Sequence, residues 1–537
     1  MQNPCRRIFA ACSVPINSKV EPNYEQAESP PGKGGNQSAQ GQKKHQQKRL
    51  RQQQREAGLK PKRTTTASNS TSKYNSVEEE NDGRNDAVSG LLRVMRQMLP
   101  ILLRRFAKIA DPRNPKKLTH RLSVLMIYGL LVFVFQYSSR RAANREITRP
   151  MFEQNLRALF PELDHLPHAD TLFRLLRRMD VSQIEQAHIE LVNRLIRNKT
   201  FTRFLINNCY PIGIDGTQKI AFSTLWDEHL LQRKIGATID PDSEQEQDYQ
   251  YYVYVLEASL CFQNGMVIPL LSEFLEYRPG DGEQSKQDCE SKAFHRLAAR
   301  IKQAFPRLPI MLLLDGLYPN GPIMARCRQY HWDFMIVLKD GSLPSAWEEY
   351  HSLLGYQQDN QHRQNWGERR QLFQWVNAIH YYFGANDKNK LDLNVVVCTE
   401  RWEEVDPKTA QIITKESKQA WISSRPISRL NVHTRCNLGA RYRWGIEGAF
   451  LVEKHQGYSY EHAFAKNWNA MKGYHYLMRL GHLINTLARF SKALAKLFGE
   501  LGVQATIEFI RNTLSGPWLN LHALELQISQ PFRLRLL

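Results

Sequence analysis

Two short apolar runs, Cys209–Asp215 and Leu308–Asp315, each stop on an aspartate, and two longer apolar segments lie between them, joined at Gln263-Asn264-Gly265. An Asn-Gly pair between apolar runs is a strong hairpin signal, so Tyr251–Phe262 and Met266–Glu276 are expected to pair as strands. Ser285–Phe305 follows with helical spacing, with Ala293, Leu297, Ala298, Ile301 and Phe305 on one side. A helix at Gly321–Tyr330 and a strand at Phe334–Leu338 come after Asp315. Strand, hairpin, helix, strand, helix, strand is a pattern that buries its apolar faces by packing helices against a mixed sheet.

The flanking segments divide the rest. Residues 1–85 are rich in Gln, Lys, Ser, Asn and Gly and poor in large apolar residues, so a disordered basic tail is expected. Within it Lys43–Arg63 carries nine Lys/Arg against the single acid Glu56. Residues 86–204 read as all-helical: Leu91, Met95, Met98 and Leu102 recur at helical spacing, with Arg93, Arg96, Arg104 and Arg105 as a possible basic face. Asp170 is the expected N-cap of a helix that begins before Leu172. Residues 205–340 hold the first part of the sheet, 341–430 a β-rich insertion, 431–497 a return to helix, and 498–537 a helical extension that becomes irregular after Pro517. Core packing is the expectation for Trp366, Trp375, Trp402 and Trp421 of the insertion.

Composition narrows the class. The 537 residues carry 73 Lys+Arg against 53 Asp+Glu, a formal charge of +20, which favours a polyanionic partner. The eight cysteines are scattered without a C-x-x-C pair, which argues against a zinc ribbon and a disulfide framework. Arg6–Cys12 imitates a lipoprotein cleavage site with too short an apolar stretch. Leu122–Phe135 is apolar but shorter than the roughly 20 residues of a bilayer span. A soluble, cytosolic protein without membrane partners is expected.

The third informative element is Arg443-Trp444-Gly445-Ile446-Glu447, continuing to Lys454. On an ideal helix Arg443 and Glu447 are separated by about 40° and Glu447 and Lys454 by about 20°, so all three share a face. Glu453 points about 120° away from Glu447 and is the poorer acid candidate. Trp444, Ile446, Phe450, Leu451 and Val452 leave little of this helix for solvent.

From about Cys209 to Phe490 the chain resembles the DDE transposases of bacterial insertion sequences, in particular the group whose third acid sits in the signature Y-x2-R-x3-E-x6-K. Arg443, Glu447 and Lys454 match that spacing; Ala440 occupies the Tyr position, with Tyr442 nearby but out of register. Gly213–Thr217 and Leu314–Tyr318 match around the first two acids, and Lys286–Glu290 before the helix that precedes Asp315; at Lys286, Asp288 and Glu290 helix-terminal charge and packing are expected. The element order also resembles the ribonuclease H-like fold, in which the first and fourth strands are neighbours and Asp215 and Asp315 would emerge side by side.

The resemblance implies a DNA transposase of α/β class, with a ribonuclease H-like core, that cuts at transposon ends and transfers the strand into target DNA. It implies Asp215, Asp315 and Glu447 as catalytic and metal-holding residues for two Mg²⁺ ions, with Mn²⁺ as a substitute. Arg443 and Lys454 would contact DNA phosphates. The implied partners are double-stranded DNA, both terminal inverted repeats and target, and a second copy of the chain in the DNA complex; the implied location is the bacterial cytoplasm, at the nucleoid. Magnesium takes hard oxygen ligands, so carboxylates suit it. A nuclease of the same fold without strand transfer, or a host-retained or decayed DNA-binding protein, are the alternative readings.

Overall fold

The computed structural model describes residues 72–163, 165–235, 249–276, 286–406 and 411–537. Most of the segment 1–85, including Lys43–Arg63, lies outside them, as do the side chains of Lys286 and Asp288. The described end of that segment departs from the expected disorder. Helix α1 (Val77–Phe106) begins well before residue 86, because the Ser76 side chain accepts from the Glu79 amide and Glu78, Glu79 and Glu80 place negative charge at the positive helix end. Leu91, Met95, Met98 and Leu102 are buried, as their spacing implies.

The helical region continues through α2 (Leu122–Val134), α3 (Arg140–Ile147), α4 (Pro150–Leu159), α5 (Ala169–Leu176) and α6 (Ser182–Arg197). The expected cap of α5 is displaced: His168 Nδ1 accepts from the Asp170 amide, while Asp170 sits in the first turn and pairs with Arg140. The basic face expected on α1 is largely absorbed by neighbouring structure. Arg96 pairs with Glu162 at 2.6 Å, Arg105 lies 3.4 Å from Glu190, and Arg93 covers the Phe532 ring. No helix among the described residues is long and apolar enough to cross a membrane.

A ten-stranded mixed sheet follows. Its hub is β1 (Tyr210–Phe222). Next in the chain come the short β2 (Leu231–Lys234), then β3 (Tyr249–Cys261) and β4 (Val267–Leu275). The last two form the expected hairpin, with Gly265 at φ 81° in its turn. Beyond α7 (Lys286–Ala304), β5 (Ile310–Leu314) runs parallel to β1, with Gly213 opposite Leu313. After α8 (Gly321–Gln329), β6 (Asp333–Val337) runs parallel to β5. On its other side β1 is antiparallel to β3, with Asp215 opposite Glu257. That pairing carries β1 on to Phe222, past the aspartate at which the apolar run stops. Strand β2 has one buried residue, Leu231, too little apolar pattern to mark it in the sequence.

The expected β-rich insertion opens instead with a helix, α9 (Pro344–Leu354), which buries Ala346, Trp347 and Tyr350. Strands β7 (Gln361–Trp366), β8 (Arg369–Phe383), β9 (Asn389–Val405) and β10 (Ile412–Ser423) follow. Residues 353–376 and 396–420 belong to a smaller compact unit; residues 74–352, 377–395 and 421–537 form the larger one. In the smaller unit Phe373 and Trp375 are core residues, and the buried Glu400 accepts from Arg369 and Gln371 at 2.7 and 2.5 Å. In the larger unit β10 pairs with β6 through Trp421 and Val337, and Trp421 is buried.

The chain ends with α10 (Gly445–His455), α11 (Trp468–Arg489), α12 (Ala495–Leu501), α13 (Val503–Ser515) and α14 (Leu521–Ser529). The last replaces the irregular segment expected after Pro517: Asn520 caps it and Leu524 anchors it in the core. Helices α2 and α11 are buried along almost their whole lengths and cross closely. Gly481 permits this, since a Cβ there would stand 2.8 Å from Phe133 Cβ and 3.1 Å from its backbone carbon. Backbone cannot swing aside as a side chain can, so Gly481→Ala should lower stability by about 1–3 kcal/mol. A reduced urea midpoint checks this; an unchanged or raised midpoint refutes the close crossing.

Candidate active site

The parallel ladder between β1 and β5 decides where the two aspartates lie. From the pair Gly213–Leu313, two further residues in register bring Asp215 alongside Asp315. Asp315 is half-buried just past the end of β5, where its Oδ1 accepts from the Leu317 amide at 2.9 Å. Asp215 accepts from the Gly216 amide at 2.9 Å, and its side chain is 21% exposed. Burial pushes its pKa up, Arg443 opposes this, and the charges of Glu447 and Asp315 add to it, leaving the carboxyl at about 6. Asp215 therefore stands within reach of the charges of both other acids.

Glu447 reaches this neighbourhood from the first turn of α10. The expected unbroken helix Arg441–Lys454 is a composite: a π turn at His433–Gly439, a 3-10 turn at Ala440–Trp444, then α10. Ideal-helix angles thus do not reach back to Arg443, yet the i,i+4 pair survives. Arg443 Nη2 donates to Glu447 Oε1 at 2.8 Å, and Nη1 lies 3.7 Å from Asp215 Oδ2. The side chain is 6% exposed, its guanidinium lies 4.9 Å from the Trp444 ring, and Nε and Nη1 are buried without a hydrogen-bond partner. Beside this turn, Gly213 of β1 leaves room for Cys261: a Cβ there would meet Cys261 Sγ at 2.9 Å, and would touch Ile446 and the Arg443 carbonyl at ordinary contact distance.

Arg443 thus links two of the three acids as an internal cation. Among the described residues no three His, Cys, Asp or Glu side chains are grouped closely enough to hold a metal ion. Lys454 belongs to different surroundings. It stands about 10 Å further along α10, pairs with Glu461 at 3.3 Å, and lines a cavity of about 550 Å³ with Arg145, Arg149 and Arg511.

Glu453 faces the core. It is fully buried, 2.8 Å from Arg479 and 2.5 Å from His482. Burial raises its pKa, but Arg479 and then His482 outweigh that and leave it at about 2. Glu257, directly opposite Asp215 and so on the same face of the sheet, accepts from Ser272 at 2.6 Å and meets His475 and Arg479 at 3.1 and 3.2 Å. Glu290 is buried and accepts from Tyr254 at 2.7 Å, a packing role.

One residue near the acids was not singled out by sequence reasoning, and two others face where it did not expect. The stem of Lys339, after β6, packs where a Gly316 Cβ would be, 2.5 Å from Cε, next to Asp315; its signal was its place just past a strand that neighbours β5. Trp444 and Leu451 are 61% and 57% exposed, contrary to the expectation of little exposed face. They lie three and four residues from Glu447, so the acid shares an outward-facing stripe with them. Apolar residues on every side of this helix concealed which face was outward.

Residues 103–192 match the model of a family described as DDE_Tnp_1-associated. The match lies in the helical region, from α1 to α6. It points to a DDE-type transposase family and to a DNA-processing enzyme. No curated protein matches the chain.

Two acids near the site should respond to neutralisation with opposite signs. A carboxyl raised from 3.8 to about 6 destabilises the fold once ionised, a cost present above about pH 6 and gone below about pH 4. Asp215→Asn should therefore raise stability near pH 8 by up to about 3 kcal/mol. The depressed Glu453 contributes stability above its unfolded value near 4.5, lost only as pH falls toward about 2. Glu453→Gln should cost about 3–5 kcal/mol by leaving Arg479 under-compensated. Urea unfolding at neutral to mildly basic pH checks both, and like signs would refute the contrast.

Proposed function

We propose that this chain is a DNA transposase of the DDE type, which cuts phosphodiesters at element ends and joins the freed 3′ hydroxyl to target DNA. The observation that supports the reading is the placement of Asp215 and Asp315 at the same end of two parallel neighbouring strands, with Arg443 lying between Asp215 and Glu447. The strand arrangement β4-β3-β1-β5-β6, antiparallel through the first three and parallel through the last three, supports a ribonuclease H-like core. The family match at residues 103–192 supports the transposase class independently of these residues.

The donor set fits magnesium. Its chemistry is that of hard carboxylate oxygens, which would have to draw closer together to hold an ion; burial first, and the charges of Glu447 and Asp315 after it, raise Asp215, and a cation relieves the latter part. Arg443 already stands in for one, at Glu447 and Asp215. Asp215, Asp315 and Glu447 are the residues that would hold the ions. Bound there, the ions would supply an activated attacking oxygen and a stabilised leaving oxygen.

The chain's own residues set the rest. Asp215 must be ionised to serve, and Arg443 opposes the burial that favours its protonated form. With Nε and Nη1 unpartnered, Arg443 has donors left for a phosphate oxygen beside the cut, a contact that guanidinium geometry suits. In the first step water adds to phosphorus and the bond to the 3′ oxygen breaks, leaving a 3′ hydroxyl. In the second that hydroxyl adds to a target phosphorus and a target 3′ oxygen leaves.

Asp215→Asn, Asp315→Asn and Glu447→Gln should each lower cleavage of end-containing DNA by about a thousandfold or more while duplex binding persists. Pre-cut ends incubated with a supercoiled plasmid should give joined product with the wild type. Full cleavage by any of the three variants removes that residue from the site; cleavage without joining reduces the activity to that of a nuclease.

A further inference from the structure

Basic side chains from four separate parts of the chain converge beside α3; of these only Lys454 was expected from the sequence to meet DNA phosphate, and the proposed chemistry gives the others no role. Helix α3 buries Ala143 and Ile147 and is capped by Ser139. One cavity beside it, of about 710 Å³, is lined by Arg140, Arg141 and Arg145 of α3 and by Lys466 from the segment after α10. Asp170 is the one carboxylate in that lining. The 550 Å³ cavity shares Arg145 and adds Arg149, Lys454 and Arg511, with Glu146 its one carboxylate. Arg145 thus joins two cavities into a band of seven cations, against Asp170 and Glu146 in the linings and Glu461 paired with Lys454.

Several of these charges are uncommitted. Among the described residues Arg141 and Lys466 form no ion pair, and Lys466 Nζ lies 5.9 Å from the Phe222 ring centre. Arg145 is 69% exposed although it touches Glu146. Like charges gathered from α3, α10, the following segment and α13 repel one another, a cost that a polyanion offsets. Rings in the linings do not offer a stacking platform: Phe464 and Tyr137 are buried and Phe222 lies beneath Lys466. That favours a paired duplex gripped by its phosphates over single strands, whose bases stack on exposed rings.

We infer that this band is a binding track for the phosphate backbone of duplex DNA, running from Lys454, on the same helix as Glu447, past Arg145 to Arg141 and Lys466. The inference rests on the transposase reading for its ligand but is tested by binding alone, without cleavage.

The full-length protein, in chelator, is titrated with a short duplex and with a single strand of equal length across a salt series. The variant Arg141→Ala/Arg145→Ala/Lys466→Ala should bind duplex roughly tenfold or more weakly and lower the slope of log affinity against log salt by about 2 to 3, near 0.9 for each lost phosphate contact. Replacing Arg141 and Arg145 by Lys, with Lys466 kept, should retain the slope, which separates lost charge from lost folding. The control Lys108→Ala/Lys492→Ala/Lys496→Ala, which removes three exposed charges elsewhere, should leave the slope nearly intact. An unchanged slope in the first variant, an equal drop in the control, or a larger loss for the single strand overturns the track. A wild type that binds duplex through other residues overturns the track alone; a wild type with no duplex affinity overturns the transposase reading with it.

Discussion

The parallel pairing of β1 with β5 is the constraint on which the candidate site depends. Parallel neighbours run in the same direction, so both strands carry the residues that follow their shared ladder to one end of it, and the aspartates after Ile214 and Leu314 arrive together. Such a pair cannot be joined by a tight turn. The chain spends the intervening residues on the β3–β4 hairpin and on α7, both of which pack the same sheet. The geometry that gathers negative charge at this end of the ladder is thus set by apolar residues: Ile310 through Leu314 are buried without exception.

Behind that end the same face of the sheet handles acids in the opposite way. Glu257 and Glu453 are fully buried, but each is matched: Arg479 meets both, His475 meets Glu257, and His482 meets Glu453. Lys219 joins from β1, fully buried, donating to the Tyr460 carbonyl at 2.8 Å. Burial pulls its pKa down to about 8, with Glu257 and Glu453 resisting. Burying ions costs several kcal/mol each unless they are paired and hydrogen-bonded, and here the pairing ties β1, β3, α10 and α11 to one another. Glu447 is presented by a helix whose other side is fastened by Glu453. Glu447 is part-exposed and paired with one cation, whereas Glu453 is buried and met by both Arg479 and His482; six residues along one helix separate the two.

Legibility in the sequence followed the strength of local pattern. The hairpin at Asn264-Gly265, the apolar runs leading to Asp215 and Asp315, and α7 were readable because apolar period and turn chemistry agreed. The polar continuation of β1 beyond Asp215 was not, since its partner is β3 and its own residues lack an apolar run. The spacing of Arg443 and Glu447 was readable even though the helix that justified it is not continuous, since a 3-10 turn followed by α-helix still brings residues four apart into contact. What was hidden had no local signature. Strand β7 alternates polar residues, α14 needed a tertiary anchor at Leu524, and the start of α1 lay in a polar stretch whose cap outweighed its composition. Lys339 sits near Asp315 through strand adjacency, which is a property of the sheet. The cations around α3 come from segments more than 300 residues apart and could not be added together before the fold was known.

Arg443 unites these themes. A cation so nearly buried, with a carboxylate on either side and two donors unsatisfied, is neither a purely structural salt bridge nor a free phosphate ligand. It holds Asp215 and Glu447 at tolerable cost, since its charge offsets part of the burial that raises Asp215. Its two donors without a hydrogen-bond partner leave it able to turn toward an anion without giving up both carboxylates. In the transposase reading that anion is the DNA phosphate brought to the acids. Engagement of DNA and loosening of the Arg443 pairs would then be one coupled event, because a phosphate and the carboxylates draw on the same guanidinium.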